Sequence, residues 1–91
     1  NSSGNYNDFA KCLTREGAVM YGTNWCGHCQ DQKESFGNSF EHIEFVNCDY
    51  NKQRCQEDDV EAYPTWRIEG QKYVGKKSLN SLSEITGCSI S

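Results

Sequence analysis

The sequence predicts a small α/β domain, with a central mixed sheet of about four strands flanked by helices. Three observations predict it. A short apolar run, Ala18-Val19-Met20-Tyr21, leads through a turn into a helix-forming segment that opens on Cys26-Gly27-His28-Cys29. A second apolar run, Ile43 to Asn47, follows that helix, and the order strand, helix, strand implies a parallel pair. The single proline, Pro64, introduces two short strand-like runs split by Glu69-Gly70, the pattern of a hairpin.

Taken in order, Asn5 or Asn7 is suited to cap a first helix running to about Arg15, with Phe9, Ala10 and Leu13 as its apolar stripe. Gly17 stops it. The nearly continuous apolar character of Ala18 to Tyr21 suits a buried central strand, and Gly22 to Asn24 then turn the chain. From Cys26 to about Phe36 the residues form helix well, and Cys29, Phe36 and Phe40 can share its buried face. A polar stretch with Cys48 and Cys55 follows the second strand, and a short helix is expected around Gln53 to Asp59. The hairpin strands are Thr65 to Ile68 and Lys72 to Val74. Ser78 then caps a last helix that carries Leu79, Leu82 and Ile85 and is closed by Gly87.

A chain of 91 residues holds one compact unit, taken as 6–91, with 1–5 read as a linker. Only 35% of its residues are apolar, which makes covalent staples an expectation for so small a core. Six cysteines are available, and an even number in so short a chain points to an oxidising compartment: a periplasm, an organelle lumen or the cell exterior. The net charge of −4, from 13 acidic and 9 basic side chains, supplies no footprint for nucleic acid or anionic lipid. No apolar run approaches the roughly 20 residues of a membrane span, so a membrane tether would lie in a segment outside these residues. A monomer is expected.

The chemistry concentrates at Trp25-Cys26-Gly27-His28-Cys29. A thiol at a helix start meets free backbone N–H groups and the positive end of the helix dipole, which stabilise its thiolate; Cys26 takes that position. Cys29 lies three residues on, on the same helix face, and can attack a mixed disulfide formed at Cys26. Gly27 permits close substrate approach, and His28 can carry positive charge near the Cys26 sulfur. The bland alternative for His28 is a solvated surface side chain, and His42 is read as surface. Trp25 and Trp66 are expected to pack, with Trp25 also walling the site. The acidic run Glu57-Asp58-Asp59 reads as a solvated helix end.

The segment Trp25-Cys26-Gly27-His28-Cys29 resembles the active site of protein disulfide isomerases and thioredoxin-like proteins, and Tyr63-Pro64-Thr65 resembles that family's cis-proline turn. The likeness extends from about Phe9 to Gly87 and implies a minimal thioredoxin fold with a cis-proline before the third strand. It also implies that Tyr63, with Pro64, meets the substrate chain opposite the cysteines. A closer similarity is to the thioredoxin-like domain associated with vitamin K epoxide reductase homologues. It rests on Ala18-Val19-Met20-Tyr21-Gly22, Cys29-Gln30-Asp31-Gln32-Lys33-Glu34 and Tyr63-Pro64-Thr65-Trp66. This resemblance implies a membrane oxidase of that type as electron acceptor and a part in disulfide formation. Family members commonly carry a buried carboxylate six positions before the first active-site cysteine and a lysine on the neighbouring strand. Here those positions are Met20 and Phe45, which removes the usual proton relay.

The remaining cysteines suggest two staples. A bridge Cys48–Cys55 would clip a short loop, with a second redox pair or free thiols as alternatives; Cys12–Cys88 would tie the first helix to the end of the last, with intermolecular pairing as the competitor. The functional expectation is a thiol-disulfide oxidoreductase without cofactor or metal, acting on protein substrates with cysteine pairs. Two other classes compete: a peptide-binding module that uses the Tyr63-Pro64 groove without turnover, and a structural zinc domain in which Cys48 and Cys55 complete a site with Cys26 and Cys29.

Overall fold

Alternation of side chains along the central strand divides the core. The computed structural model describes residues 5–90, so the linker reading of residues 1–4 lies outside the described residues. In β1 (Ala18–Gly22), Ala18 and Met20 enter one buried cluster while Val19 and Tyr21 enter another, the period-two pattern of a strand covered on both faces. β2 (Glu44–Asn47) pairs parallel with β1, Met20 opposite Phe45. On the other side β3 (Thr65–Ile68) pairs antiparallel, Met20 opposite Trp66, and β4 (Gln71–Val74) closes the hairpin, giving the order β2-β1-β3-β4.

Helices cover the sheet. α1 (Asn7–Arg15) delivers Phe9, Ala10 and Leu13, α2 (Gly27–Phe36) delivers Cys29 and Phe36, and α4 (Leu79–Thr86) delivers Leu82 to the larger cluster around Met20 and Trp66. Each such large apolar side chain contributes about 1.5–3 kcal/mol by leaving water. Rings meet in this core: Phe36 lies 6.1 Å from Phe9 and 6.3 Å from Trp66, centroid to centroid. Gln32 is buried among them because every polar atom finds a partner. Its Oε1 accepts from Trp66 Nε1 (3.0 Å) and the Lys77 N–H (2.6 Å), while its Nε2 donates to the Lys77 carbonyl (2.9 Å). The smaller cluster, Tyr21, Val46, Cys48 and Cys55, is roofed by α3 (Lys52–Glu57).

Several expectations need correction. The residue that caps α1 is Tyr6; Ser39 accepts from the Tyr6 N–H (2.8 Å) and donates to Asn7 Oδ1 (2.7 Å), so a distant serine rather than a local cap secures that helix start. Asn5 assists through its Oδ1, which accepts from the Asn7 N–H at 3.0 Å. Phe40 does not extend the α2 face: Gly37, at φ 60°, ends that helix, and Phe40 sits half-buried on a 3₁₀ turn, Gly37–His42. β2 starts at Glu44, α3 ends at Glu57, and His42 is half-buried. Asp58 is no freely solvated helix end, since it accepts from the Tyr21 hydroxyl, faces Arg54 at 3.8 Å, and its carbonyl accepts from Arg67 at 3.2 Å. At the other end of the chain α4 follows the expected chemistry: Ser78 Oγ accepts from the Ser81 N–H at 3.1 Å and Gly87 closes the helix at φ 80°. Among the described residues, no helix is long and apolar enough to cross a membrane.

Candidate active site

The end of β1 and the start of α2 place the two cysteines differently. Cys26 is the N-cap of α2 in extended backbone, φ −81° and ψ 124°, and its carbonyl accepts from the Gln30 N–H at 3.0 Å. Its side chain is half-buried, whereas Cys29, in the first turn, has no exposed surface. Both are free thiols. What lets Cys29 sink against the sheet is Gly22, the last residue of β1 and not a turn residue: a Cβ there would stand 2.6 Å from Cys29 Sγ and 3.5 Å from the Phe45 ring. Met20 and Phe45, the two residues opposite each other in the β1–β2 register, belong to the same apolar surroundings.

Electrostatics separates the thiols further. Burial raises the Cys26 thiol, but the Cys29 N–H, the Cys29 side chain and the His28 N–H all favour its thiolate, and the balance lies below the usual thiol range. For Cys29 burial prevails; the Thr23 N–H opposes it, the adjacent Cys26 sulfur adds to it, and the thiol is pushed up to about 11. His28 brings its backbone N–H to the site while its side chain is exposed.

The opposite wall is the Tyr63-Pro64 segment. Its peptide bond is cis, Pro64 is buried, and the Tyr63 carbonyl accepts from the Cys26 thiol at 3.6 Å. Trp25 does not pack inside: it is 67% exposed, lies edge-on to Tyr63 with centroids 6.0 Å apart, and donates from Nε1 to Asp49 Oδ2 at 2.8 Å. Gly27 is open to solvent, and nothing stands within 4 Å of where its Cβ would be. The result is a half-buried sulfur between the aromatic flank of Trp25 and the Tyr63 carbonyl, open on its solvent side to a disulfide-bearing chain.

The other four cysteines are bridged in pairs, Cys12–Cys88 and Cys48–Cys55. Cys48 and Cys55 are therefore tied to each other and not gathered with Cys26 and Cys29. Among the described residues no group of three or more His, Cys, Asp or Glu is arranged to hold a metal. A cavity of about 220 Å³ opens beside the Cys48–Cys55 bridge, against Tyr63, Asp49 and Lys52. The sequence places Gly22 and Thr23 in a turn and gives Asp49 no role; each matters through a contact made in the fold, Gly22 and Thr23 with Cys29 and Asp49 with Trp25, although a glycine just before the Trp-Cys segment is a signal that close packing is needed there.

Comparison with known proteins agrees with this geometry. The thioredoxin family model matches residues 2–86. The chain is 38% identical over 90 residues to an Arabidopsis thaliana protein named thiol-disulfide oxidoreductase LTO1, covering 89% of this chain and 24% of that longer protein. Among solved structures, Fasciola hepatica thioredoxin superposes with a TM-score of 0.55 at 22% identity, each chain covered to 79%. The N-terminal domain of alkylhydroperoxide reductase AhpF from Enterococcus faecalis gives 0.61 at 17% identity, over 86% of this chain and 42% of that one. These structures share the fold of this chain. By its matched length, its topology and the place of its CxxC segment, the chain belongs to the thioredoxin family.

Proposed function

We propose that this domain is a protein thiol-disulfide oxidoreductase in which Cys26 is the nucleophile and Cys29 the resolving thiol. The observation that carries the reading is the opposite environment of the two sulfurs, one half-buried with its thiol lowered by neighbouring donors, the other fully buried with its thiol pushed up to about 11. The Cys26 thiolate attacks a substrate disulfide, forming a mixed disulfide and releasing one substrate thiolate, which takes up a proton. Cys29 then loses its proton to solvent and attacks Cys26 Sγ; the Cys26–substrate bond breaks, leaving the Cys26–Cys29 disulfide and a second substrate thiol. Run in reverse, the same steps oxidise a substrate cysteine pair. Trp25, Gly27, Tyr63 and Pro64 form the substrate groove, and His28 tunes Cys26 from the helix start.

Oxidation is the physiological direction in this reading, in an oxidising compartment, with a membrane oxidase of the vitamin K epoxide reductase type as electron acceptor. The relative named as a thiol-disulfide oxidoreductase supports the chemistry. The trapping experiment tests it: Cys29→Ser accumulates mixed disulfides with cysteine-containing proteins, and Cys26→Ser does not. The reverse pattern overturns the assignment, and no trapping by either leaves a binding module without turnover. For the partner, the reduced domain reconstituted with such an oxidase and quinone is reoxidised faster than a generic thioredoxin; equal rates remove that partner.

A further inference from the structure

Lys33 occupies a position that the cysteine pair alone does not explain. It lies four residues, about one turn, after Cys29 on α2. Its side chain is not released to solvent: Nζ stands 4.3 Å from the centroid of the Phe45 ring and 5.7 Å from that of Phe40, and donates to Asn24 Oδ1 at 3.0 Å. The Asn24 carbonyl in turn accepts from Gln30 Nε2 at 2.8 Å, so the loop before Trp25 is tied twice to α2. The Phe45 ring is also the ring that meets the Gly22 niche filled by Cys29 Sγ. A cation is thus fixed on the aromatic wall of the resolving sulfur, in a contact with the ring face that favours it.

We propose that Lys33 is a positioning residue for the resolving step, a fixed cation that stabilises negative charge as it develops on Cys29 Sγ. This rests on the proposed role of Cys29. The charges facing that sulfur are few. On α2 they are Cys26 and Lys33, the loop contributes the Thr23 N–H, and β1 and β2 present the uncharged Met20 and Phe45. Asp31 acts on Cys26. Of these, burial and Cys26 work against the Cys29 thiolate, while the Thr23 N–H and Lys33 work for it. With Met20 and Phe45 at the β1–β2 pair, the sheet supplies no acid or base, and Lys33 approaches from the helix instead.

The test uses Lys33→Met, which keeps the stem against the rings without the charge, and Lys33→Arg, which keeps the charge. A mixed disulfide between Cys26 and a labelled peptide is formed at low pH and jumped to a series of pH values, and release of the label is followed. Lys33→Met moves the pH midpoint of release up by roughly half to one pH unit and slows release near neutrality about three- to tenfold. Lys33→Arg retains most of the wild-type rate, and alkylation of Cys26 stays within about twofold of wild type in both variants, which separates a charge effect from a loosened site. A wild-type pH profile in Lys33→Met overturns the proposal, as does Lys33→Arg proving as slow as Lys33→Met. Failure of the underlying reading looks different: Cys29→Ser would then release the label as fast as wild type.

Discussion

Replacing Gly22 by alanine probes the contact that sets the depth of Cys29. The added methyl would lie 2.6 Å from Cys29 Sγ, 3.5 Å from the Phe45 ring and 3.6 Å from Cys29 Cβ. Ordinary non-bonded contact lies near 3.5–4 Å, so the sulfur must retreat by about 1 Å. It has no free space to enter, because Cys29 is fully buried in the cluster that holds Met20 and Phe36. Overpacking of this kind costs about 1–3 kcal/mol. For a domain of this length that lowers Tm by roughly 5–20 °C. The control is Gly27→Ala, where the new methyl meets nothing within 4 Å and falls at the first position of α2. It should be neutral or slightly stabilising, because alanine favours helix over glycine by up to about 1 kcal/mol. Thermal and urea unfolding of the reduced proteins, side by side, measure both. If Gly22→Ala unfolds within about 0.5 kcal/mol of wild type, the niche is soft and Gly22 does not control the depth of the sulfur.

Two further predictions follow from the thiols and the staples. In Cys26→Ser, burial still holds the Cys29 thiol above the ordinary range, so it keeps its proton in the folded chain after the unfolded chain has lost it; its contribution is complete below the ordinary thiol range and disappears as pH rises through the raised folded value. Urea unfolding should therefore weaken over that window, an effect absent when Cys29 is also replaced by alanine; equal pH dependence in the two variants refutes it. Cys26 has the opposite sign. Its folded-state value is lowered, so its contribution is present above the ordinary thiol range and lost as pH falls through the lowered value, and its alkylation should show a midpoint below about 8.5. As for the staples, Cys12–Cys88 spans 76 residues and contributes about 4–5 kcal/mol by loop entropy, whereas Cys48–Cys55 spans 7 and contributes about 2–3. Paired alanine substitutions should rank in that order by denaturant midpoint, and the reverse order refutes the entropic account.

Much of this molecule is legible in sequence because its signals are local. Ala18 to Tyr21 is apolar without interruption because both faces of β1 are covered, and Ser78 and Gly87 carry the chemistry of a helix start and stop. Cys26 and Cys29 announce themselves by spacing and by the strand before them. What escapes the sequence depends on contacts made only once the elements pack. Ser39 reaches α1 across 32 residues, so nothing near Asn7 signals it. Gly22 looks like a turn glycine until Cys29 is laid against it, and Asp58 looks solvated until Tyr21 and Arg67 arrive from β1 and β3. Trp25 was expected to pack, but the turn that delivers Cys26 to the surface carries its neighbour outward too, and Asp49 secures the indole there.

In the proposed function the direction of exchange turns on the same geometry. Two thiols in the first turn of one helix would be alike if the helix alone set their chemistry. They differ because the N-cap position leaves Cys26 at the surface beneath the free N–H groups of Cys29 and His28, while one turn's rotation carries Cys29 into the Gly22 niche, away from water. Lowering the Cys26 value stabilises the reduced protein at any pH where the thiolate forms, and leaves the disulfide without that benefit. A stabilised reduced form is the thermodynamic mark of an oxidant. Cys29, its own thiol pushed up to about 11, shares in that stabilisation as a proton donor to the Cys26 sulfur, and in the proposed mechanism negative charge on its own sulfur matters only when a mixed disulfide is resolved. In that mechanism the donors to Cys26, those of Cys29 and His28, weigh on the potential, whereas Lys33, which acts on Cys29, weighs on the rate of resolution. Substitutions at Lys33 should then change the kinetics of release with little effect on the midpoint potential. A potential that moved in step with the release rate would show that the two sulfurs are not separable in this way.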